Sequence, residues 1–279
     1  MSYPSTIFHR VVAVCAAVAL TATGWAAPAT AVAVSVAPAP LQYVALGDSY
    51  AAGFGAEPTR DACGRTSAAY PALLARETHG GVALRNASCV GATTADVTHR
   101  QVSSLSPRTG LVTITAGAND LQVARVLRSC ANPATAIDCR TANAAVDRKL
   151  AATMPRDLGR MIRAVTTAAP DARVVVTGYP LPFARARQCA TVPVPAKLRA
   201  RANQVVQRLN RVLATAAARE QVRFVDVEQT FAGHALCNAR PWLVGAEGMR
   251  DNTALHPTAT GHARGYLPAV ANTGLADRF

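Results

Sequence analysis

The stretch Tyr43-Val44-Ala45-Leu46-Gly47-Asp48-Ser49-Tyr50 joins a short apolar run to a Gly-Asp-Ser turn. The apolar run predicts a buried β-strand, and the glycine ends it where a strand of a parallel sheet would pass into a helix. A serine at this point has its hydroxyl at the C-terminal edge of the sheet, beside the N–H groups of a helix N-terminus. Ser49 is therefore a candidate nucleophile, although the same tripeptide is also typical of an ordinary turn.

Alternating strand and helix patterns predict an α/β fold for the rest of the chain. Five short apolar segments predict strands at Tyr43–Leu46, Val82–Asn86, Leu111–Thr115, Arg173–Thr177 and Val222–Val227. Helix-like stretches between and after them are Ser67–Thr78, Ala144–Ala169 with a break at Met154-Pro155, Pro195–Glu220 and Pro257–Val270. Strands that alternate with helices form a parallel sheet covered on both faces, so we predict a three-layer α/β/α sandwich with a five-stranded parallel sheet.

Residues 1–33 have the pattern of a secretory signal peptide. Arg10 gives a positive start, Val11–Leu20 is apolar, and A-x-A cleavage sites follow from Ala29 onward, so we expect cleavage within residues 31–37. The alternative is a membrane anchor, but the apolar run is shorter than the roughly 20 residues that a membrane span needs. The pattern therefore predicts a secreted, extracellular protein.

The cysteine count agrees with export. Seven cysteines are present, and Cys15 lies in the signal segment. The remaining six are Cys63, Cys89, Cys130, Cys139, Cys189 and Cys237. An even number in an exported chain predicts three disulfides, but six cysteines allow 15 pairings, so the count leaves the connectivity open. A zinc site is the competing interpretation; the chain has no C-x-x-C motif and no histidine at zinc-finger spacing, so we expect no metal.

The chain is basic, with a formal net charge of +13 at pH 7. Its bases are nearly all arginines spread along the sequence, without an RNA-binding motif or an aromatic-studded basic stripe. We therefore expect no nucleic-acid partner. A weak association with anionic surfaces, such as cell envelopes or lipids, stays open.

Three later segments place further candidate site residues after predicted strands or before the last helix. Gly91 follows the second strand in Asn-Ala-Ser-Cys-Val-Gly, and Asn119 follows the third in Gly-Ala-Asn-Asp. His256 lies near the end in Leu-His-Pro-Thr. Because such positions converge along one edge of a parallel sheet, Ser49, Gly91, Asn119 and His256 are expected to lie together.

These four segments resemble the sequence blocks of the SGNH hydrolases, also called the GDSL esterase/lipase family. They occur in the family's order over about residues 42–270, and the match is best to the secreted actinobacterial branch with three disulfides. The resemblance implies a flavodoxin-like SGNH hydrolase fold, with residues 41–279 as a single domain. We expect this domain to act as a monomer.

The resemblance also implies catalytic roles. Ser49 would be the nucleophile, and His256 the general base that takes the serine proton and returns it to the leaving alcohol. The backbone N–H groups of Ser49 and Gly91, with the side-chain amide of Asn119, would form the oxyanion hole. The resemblance and the sequence order together imply the disulfides Cys63–Cys89, Cys130–Cys139 and Cys189–Cys237.

The chain departs from the family pattern at the third triad position. The family has an aspartate three residues before the catalytic histidine, whereas this chain has Thr253 there. Asp251, five residues before His256, is one candidate for orienting the imidazole. The other is the backbone carbonyl of Ala254, since some members of this branch are thought to use a carbonyl instead.

The function that the resemblance implies is a secreted serine ester hydrolase, a lipase or esterase that needs no cofactor and acts on a small-molecule or lipid ester. Only two tryptophans are present, and this scarcity of aromatic platforms favours acyl chains over sugars as the bound group. A short-chain or carbohydrate acetyl esterase is the alternative. A non-catalytic binding protein on the same scaffold, or a transacylase that passes the acyl group to another alcohol, stays open as well.

Overall fold

A parallel sheet of five strands forms the centre of the chain in its computed structural model. The structure describes residues 39–273, apart from 124–125, 127–129, 131–135, 187 and 190–191. The predicted signal peptide lies outside the described residues. So do residues 274–279 of the predicted domain, whose bounds stay a prediction.

The sheet has the strand order β2-β1-β3-β4-β5, and every neighbouring pair is parallel. The strands are β1 (Leu41–Gly47), β2 (Val82–Asn86), β3 (Thr109–Thr115), β4 (Arg173–Thr177) and β5 (Arg223–Val225). All five lie where the sequence predicts them, although β1 is longer at both ends, β3 begins two residues earlier and β5 is shorter at both ends. This order places β1 between β2 and β3, so the segments after β2 and β3 flank the Gly-Asp-Ser turn.

Helices cover both faces of the sheet. They are α1 (Ser49–Ala52), α2 (Tyr70–Glu77), α3 (Thr94–His99), α4 (Ala136–Ala152), α5 (Met154–Ala168), α6 (Ala196–Arg219) and α7 (Leu267–Ala271). Short 3₁₀ turns lie at Gln101–Ser104, Asn119–Leu121 and Ala246–Met249, and a π-helical turn, Gly261–Tyr266, leads into α7. The predicted break at Met154-Pro155 is real, because α5 begins there with the proline in its first turn, where no N–H is needed.

The alternation of side chains along β1 builds the two apolar layers. Val44 and Leu46 point to one face, where they pack in the core with residues of α5 and α6, including Leu158 and Leu209. Tyr43 and Ala45 point to the other face and pack with residues of α2, of α7 and of the π-helical turn before it. Because both faces of the strand are buried, β1 is apolar throughout, as is typical of a parallel sheet. The predicted three-layer sandwich is confirmed.

Three disulfides cross-link the segments around this sheet. The pairs are Cys63–Cys89, Cys130–Cys139 and Cys189–Cys237, which are the pairs that the family resemblance implies. Among the helices that the structure describes, none is both long enough and apolar enough to span a bilayer.

Candidate active site

The turn after β1 is held so that Ser49 stands at the first position of α1. Gly47 has φ +128°, and a Cβ there would lie 2.0 Å from the Thr115 carbonyl oxygen on β3, so only glycine fits this close approach. Asp48 caps α1 by accepting from the Tyr50 N–H at 2.9 Å. The Asp48 side chain therefore holds the turn.

Gln101 fixes the same turn from the other side. Its amide donates to the Gly47 carbonyl at 2.8 Å and its Oε1 accepts from the Gly47 N–H at 2.7 Å. Both backbone groups of Gly47 are thus satisfied by one buried side chain. The backbone before Ser49 is therefore held in place by the protein itself.

His256 faces the serine across a separation of 207 residues in sequence, with its Nε2 2.8 Å from the Ser49 Oγ. Its Nδ1 lies 3.1 Å from the carbonyl oxygen of Thr253. A carbonyl only accepts, so Nδ1 must carry the proton, which leaves Nε2 free to accept from the serine hydroxyl. Burial lowers the pKa of His256 below its usual value, which keeps the ring in the neutral form that a base requires.

The group that orients His256 is the Thr253 carbonyl, one residue before the predicted Ala254 carbonyl. The chain makes a tight turn here, with Leu255 in a left-handed conformation at φ +71° and the His256 N–H donating to the same Thr253 oxygen at 3.1 Å. The Ala254 carbonyl is near enough to raise the pKa of the ring, as Thr253 does, but the Nδ1 hydrogen bond goes to Thr253.

Asp251, the other predicted candidate, makes no hydrogen bond with the imidazole. Its carboxylate accepts from the Thr253 N–H at 3.2 Å and from the Thr253 hydroxyl at 2.7 Å. It also forms an exposed ion pair with Arg60 at 3.5 Å. Asp251 therefore acts on His256 through the threonine whose carbonyl holds the ring, and through its charge, which raises the pKa of the imidazole.

Gly91 and Asn119 lie on the two sides of the nucleophile turn. The Gly91 loop is tied to β1 through the Cys89 N–H, which donates to the Gly47 carbonyl at 3.0 Å. Asn119 opens the 3₁₀ turn after β3, and its amide donates to the Ala92 carbonyl at 3.0 Å. The side chain of Asn119 thus reaches across to the residue that follows Gly91.

Hydrogen-bond donors that are not fully used within the protein lie on the turns after β1, β2 and β3. Within the part of the chain that the structure describes, the N–H groups of Ser49 and Gly91 have no protein acceptor, and the Asn119 amide uses one of its two hydrogens. Gly91 has φ +80°, a conformation that glycine adopts without cost. Three free donors on adjacent loops are the arrangement that can stabilise an oxyanion.

The sequence did not indicate that two tyrosines belong to the site. Tyr50 donates from its hydroxyl to the Leu255 carbonyl at 2.8 Å and places its ring 5.3 Å from that of His256. Tyr179 donates to the Asp48 carboxylate at 2.6 Å. Both positions follow strand ends, which was the available signal, since functional side chains collect at that edge of a parallel sheet.

His262, the other histidine near the C-terminus, does not join the site. It is fully buried, its Nδ1 accepts from the Tyr70 N–H at 3.3 Å, and burial lowers its pKa to about 3. It is therefore a neutral core residue. Among the described residues, no group of three or more His, Cys, Asp and Glu side chains is placed to hold a metal ion.

A Ser–His pair at the C-terminal edge of a five-stranded parallel sheet is the arrangement expected of a serine hydrolase. The chain belongs to the GDSL-like lipase/acylhydrolase family, whose pattern matches residues 45–264.

Relatives from Streptomyces agree with this membership. A lipase of Streptomyces rimosus is 38% identical over 231 residues, which are 82% of this chain and 85% of that protein. The crystal structure of an extracellular lipase from the same organism superposes with a TM-score of 0.77 at 36% identity, covering 83% of this chain and 99% of the other. Phospholipase A1 of Streptomyces albidoflavus NA297 has the same TM-score at 33% identity, covering 84% and 99%.

Proposed function

We propose that the chain is a secreted lipase or esterase that hydrolyses carboxylic esters of lipids through an acyl-enzyme on Ser49. The observation that carries the proposal is the 2.8 Å contact between the Ser49 Oγ and the His256 Nε2, with the His256 Nδ1 held on a backbone carbonyl. This arrangement sets the tautomer and direction of the base without a carboxylate. A Ser–His dyad of this kind supports nucleophilic catalysis.

The dyad performs the reaction in two halves. As the Ser49 Oγ attacks the ester carbon, its proton passes to His256 Nε2, and the carbonyl electron pair moves onto the oxygen. The tetrahedral intermediate collapses by breaking the bond to the alcohol, which takes the proton from His256. Water then repeats the sequence on the acyl-enzyme, so that the fatty acid leaves and Ser49 regains its proton.

The three donors around Ser49 supply the electrostatic part of catalysis. The N–H groups of Ser49 and Gly91 and the Asn119 amide lie on three loops that the sheet brings side by side. In the transition state they would donate to the negatively charged oxygen, and one such donor contributes about 3 kcal/mol. The loops are cross-linked by hydrogen bonds to β1 and to one another, so little reorganisation is needed during the reaction.

The names of similar proteins and the scarcity of tryptophan in the chain support a lipid ester as the substrate. The relatives at 33–38% identity are named lipase and phospholipase A1. Secretion is supported by the N-terminal signal pattern and by three disulfides, because disulfides persist in oxidising compartments.

The proposal is tested by hydrolysis of nitrophenyl esters from acetyl to palmitoyl, with Ser49→Ala as the blank. Activity that rises toward long acyl chains supports a lipase. Activity confined to acetyl or butyryl esters would instead indicate a short-chain or carbohydrate esterase. Turnover retained by Ser49→Ala would rule out the acyl-enzyme.

Covalent labelling distinguishes an enzyme from a non-catalytic binding protein on the same scaffold. An organophosphonate should add its mass to the wild type and leave Ser49→Ala unmodified. A matched control is Ser67→Ala, whose hydroxyl bonds to the Glu57 carboxylate and has no histidine partner. Labelling of the wild type should survive this change.

A further inference from the structure

Tyr179 follows β4, two strands away from the nucleophile in the sheet, yet its hydroxyl reaches the active-site turn. The residue is buried, with 2% of its surface exposed. Its hydroxyl donates to the Asp48 carboxylate at 2.6 Å and accepts from the Ala118 N–H at 3.3 Å. One phenol therefore joins the residue before Ser49 to the residue before Asn119.

We propose that Tyr179 is a positioning residue of the active site, whose hydroxyl holds the nucleophile turn and the Asn119 turn at a constant separation. This inference rests on the proposed function, since it matters only if Ser49 attacks and Asn119 stabilises the oxyanion. The two turns belong to neighbouring strands, β1 and β3. Their backbones alone do not set the distance between a serine hydroxyl and a side-chain amide.

The position of Tyr179 is itself fixed from behind. Its N–H donates to the Asn210 Oδ1 at 2.9 Å, and its carbonyl accepts from the Asn210 Nδ2 at 2.8 Å. Asn210 is buried on α6, so this clamp ties the backbone of Tyr179 to the long helix behind it. Tyr179 is thus held at its backbone by α6 and at its hydroxyl by the turns that carry Ser49 and Asn119.

Tyr179 also supports the histidine side of the site. Its ring meets the ring of Tyr50 edge-on, with 5.0 Å between centroids. Tyr50 in turn bonds the Leu255 carbonyl, next to His256. Removing the Tyr179 hydroxyl leaves this packing in place, so a Phe variant isolates the hydrogen-bonded bridge.

The direction of the hydrogen bonds depends on the charge of Asp48. Burial raises the pKa of Asp48 to about 7, while donation from Tyr179 and from the Tyr50 N–H lowers it. The other titratable groups that face this carboxyl are Asp120, Tyr70 and Tyr266. When Asp48 is ionised, Tyr179 donates to a charged acceptor and accepts from the Ala118 N–H; when Asp48 is protonated, the carboxyl can also donate to the phenol oxygen, and the contact is a weaker hydrogen bond between neutral groups. The bridge is therefore strongest above the Asp48 pKa.

The first test is Tyr179→Phe, assayed on nitrophenyl butyrate. We expect kcat to fall roughly ten- to hundredfold, because a misplacement of about 1 Å has that effect on an oriented reaction. KM should stay within about a factor of two, since ground-state binding is not involved. The matched control is Tyr43→Phe, which removes another buried hydroxyl, one that bonds Thr113 within the sheet and touches neither turn. A wild-type kcat in Tyr179→Phe, or an equal loss in Tyr43→Phe, would overturn the proposal.

The pH profile separates positioning from a general loss of stability. In the wild type, kcat should fall as Asp48 is protonated near pH 7. Tyr179→Phe should lose this acid limb, because the variant has no bridge for the protonation of Asp48 to weaken. Asp48→Asn should abolish that limb, and it serves as the second variant if the Phe variant does not fold. An acid limb that is the same in all three proteins refutes the bridge.

A double-mutant cycle that combines Tyr179→Phe with Asp48→Asn completes the test. If the two residues act through one hydrogen bond, the double variant should lose no more kcat than the worse single variant. Multiplied losses would show two independent effects and refute the bridge. If the proposed function is wrong, the result is different, because the wild type itself would then hydrolyse the ester no faster than the Ser49→Ala blank.

Discussion

Substitution of Asp251 tests whether a backbone carbonyl, and not a carboxylate, orients His256. In Asp251→Asn the Oδ1 atom remains and can still accept from the N–H and the hydroxyl of Thr253, at the 3.2 and 2.7 Å seen in the wild type. Only an exposed, screened charge is lost. We therefore expect kcat to fall by less than about fivefold.

Asp251→Ala removes the oxygen that accepts both hydrogen bonds and should be the more harmful change. Thr253 would then lose the two bonds that hold its carbonyl against the His256 Nδ1. A displacement of about 1 Å predicts a loss of roughly ten- to hundredfold in kcat. A carboxylate acting as the third triad member would instead give a loss near 10⁴-fold for the asparagine variant as well.

The assay is kcat on nitrophenyl butyrate, with the melting temperature measured alongside. Asp226→Ala is the matched control, because Asp226 accepts from the N–H two residues ahead at 2.8 Å in the same kind of turn, and its side chain contacts none of the site residues. The control should keep wild-type kcat. A loss near 10⁴-fold in Asp251→Asn, equal to that of the alanine variant, would refute the assignment of the carbonyl.

Three further predictions follow from backbone strain, cross-linking and burial. Gly47→Ala should cost more than about 3 kcal/mol because its Cβ would lie 2.0 Å from a backbone oxygen, whereas Gly80→Ala, also at positive φ but with open space, should cost about 1 kcal/mol in chemical denaturation. Replacing both Cys63 and Cys89 by alanine should lower the unfolding free energy by about 3.5 kcal/mol, the loop-entropy value for a separation of 26 residues, and intact mass should show six fewer hydrogens in the oxidised wild type than after reduction. Asp48 has a folded pKa of about 7, above its unfolded value of 3.8, so its contribution to stability is present below pH 4 and lost as the pH rises to 7. The unfolding free energy should therefore drop by up to roughly 4 kcal/mol across this window in the wild type but not in Asp48→Asn, and equal pH dependence in the two proteins would contradict this reasoning.

The sequence predicted the strands and helices whose apolar residues form a clear run or repeat. The strands showed as apolar runs and the long helices as repeats of leucine and valine, because each must bury one or both of its faces. Helix α1 was expected from the Gly-Asp-Ser turn alone, whereas α3 has six residues, too few to show a period, and was missed. Strand β5 is shorter than predicted because after Val225 the chain leaves the sheet and exposes Asp226.

The site residues were visible in sequence because of where they fall relative to the strands. Ser49, Gly91 and Asn119 follow β1, β2 and β3, and a parallel sheet brings the carboxyl ends of its strands to one edge. The third triad position could not be read in the same way. Two left-handed residues, Asn252 and Leu255, turn the Thr253 carbonyl toward the imidazole. Asparagine favours that conformation, but leucine does not, so the residue types do not predict this turn.

The sequence by itself determined the order of strands and helices, the residue types at the strand ends and the family to which the chain belongs. Only the tertiary structure decided that His256 lies 2.8 Å from Ser49, that Thr253 orients it and that Tyr179 bridges two turns. The physical reason is one of scale. Burial patterns extend over whole elements and survive as periodicity, whereas a hydrogen bond depends on tenths of an ångström between residues brought together from distant parts of the chain.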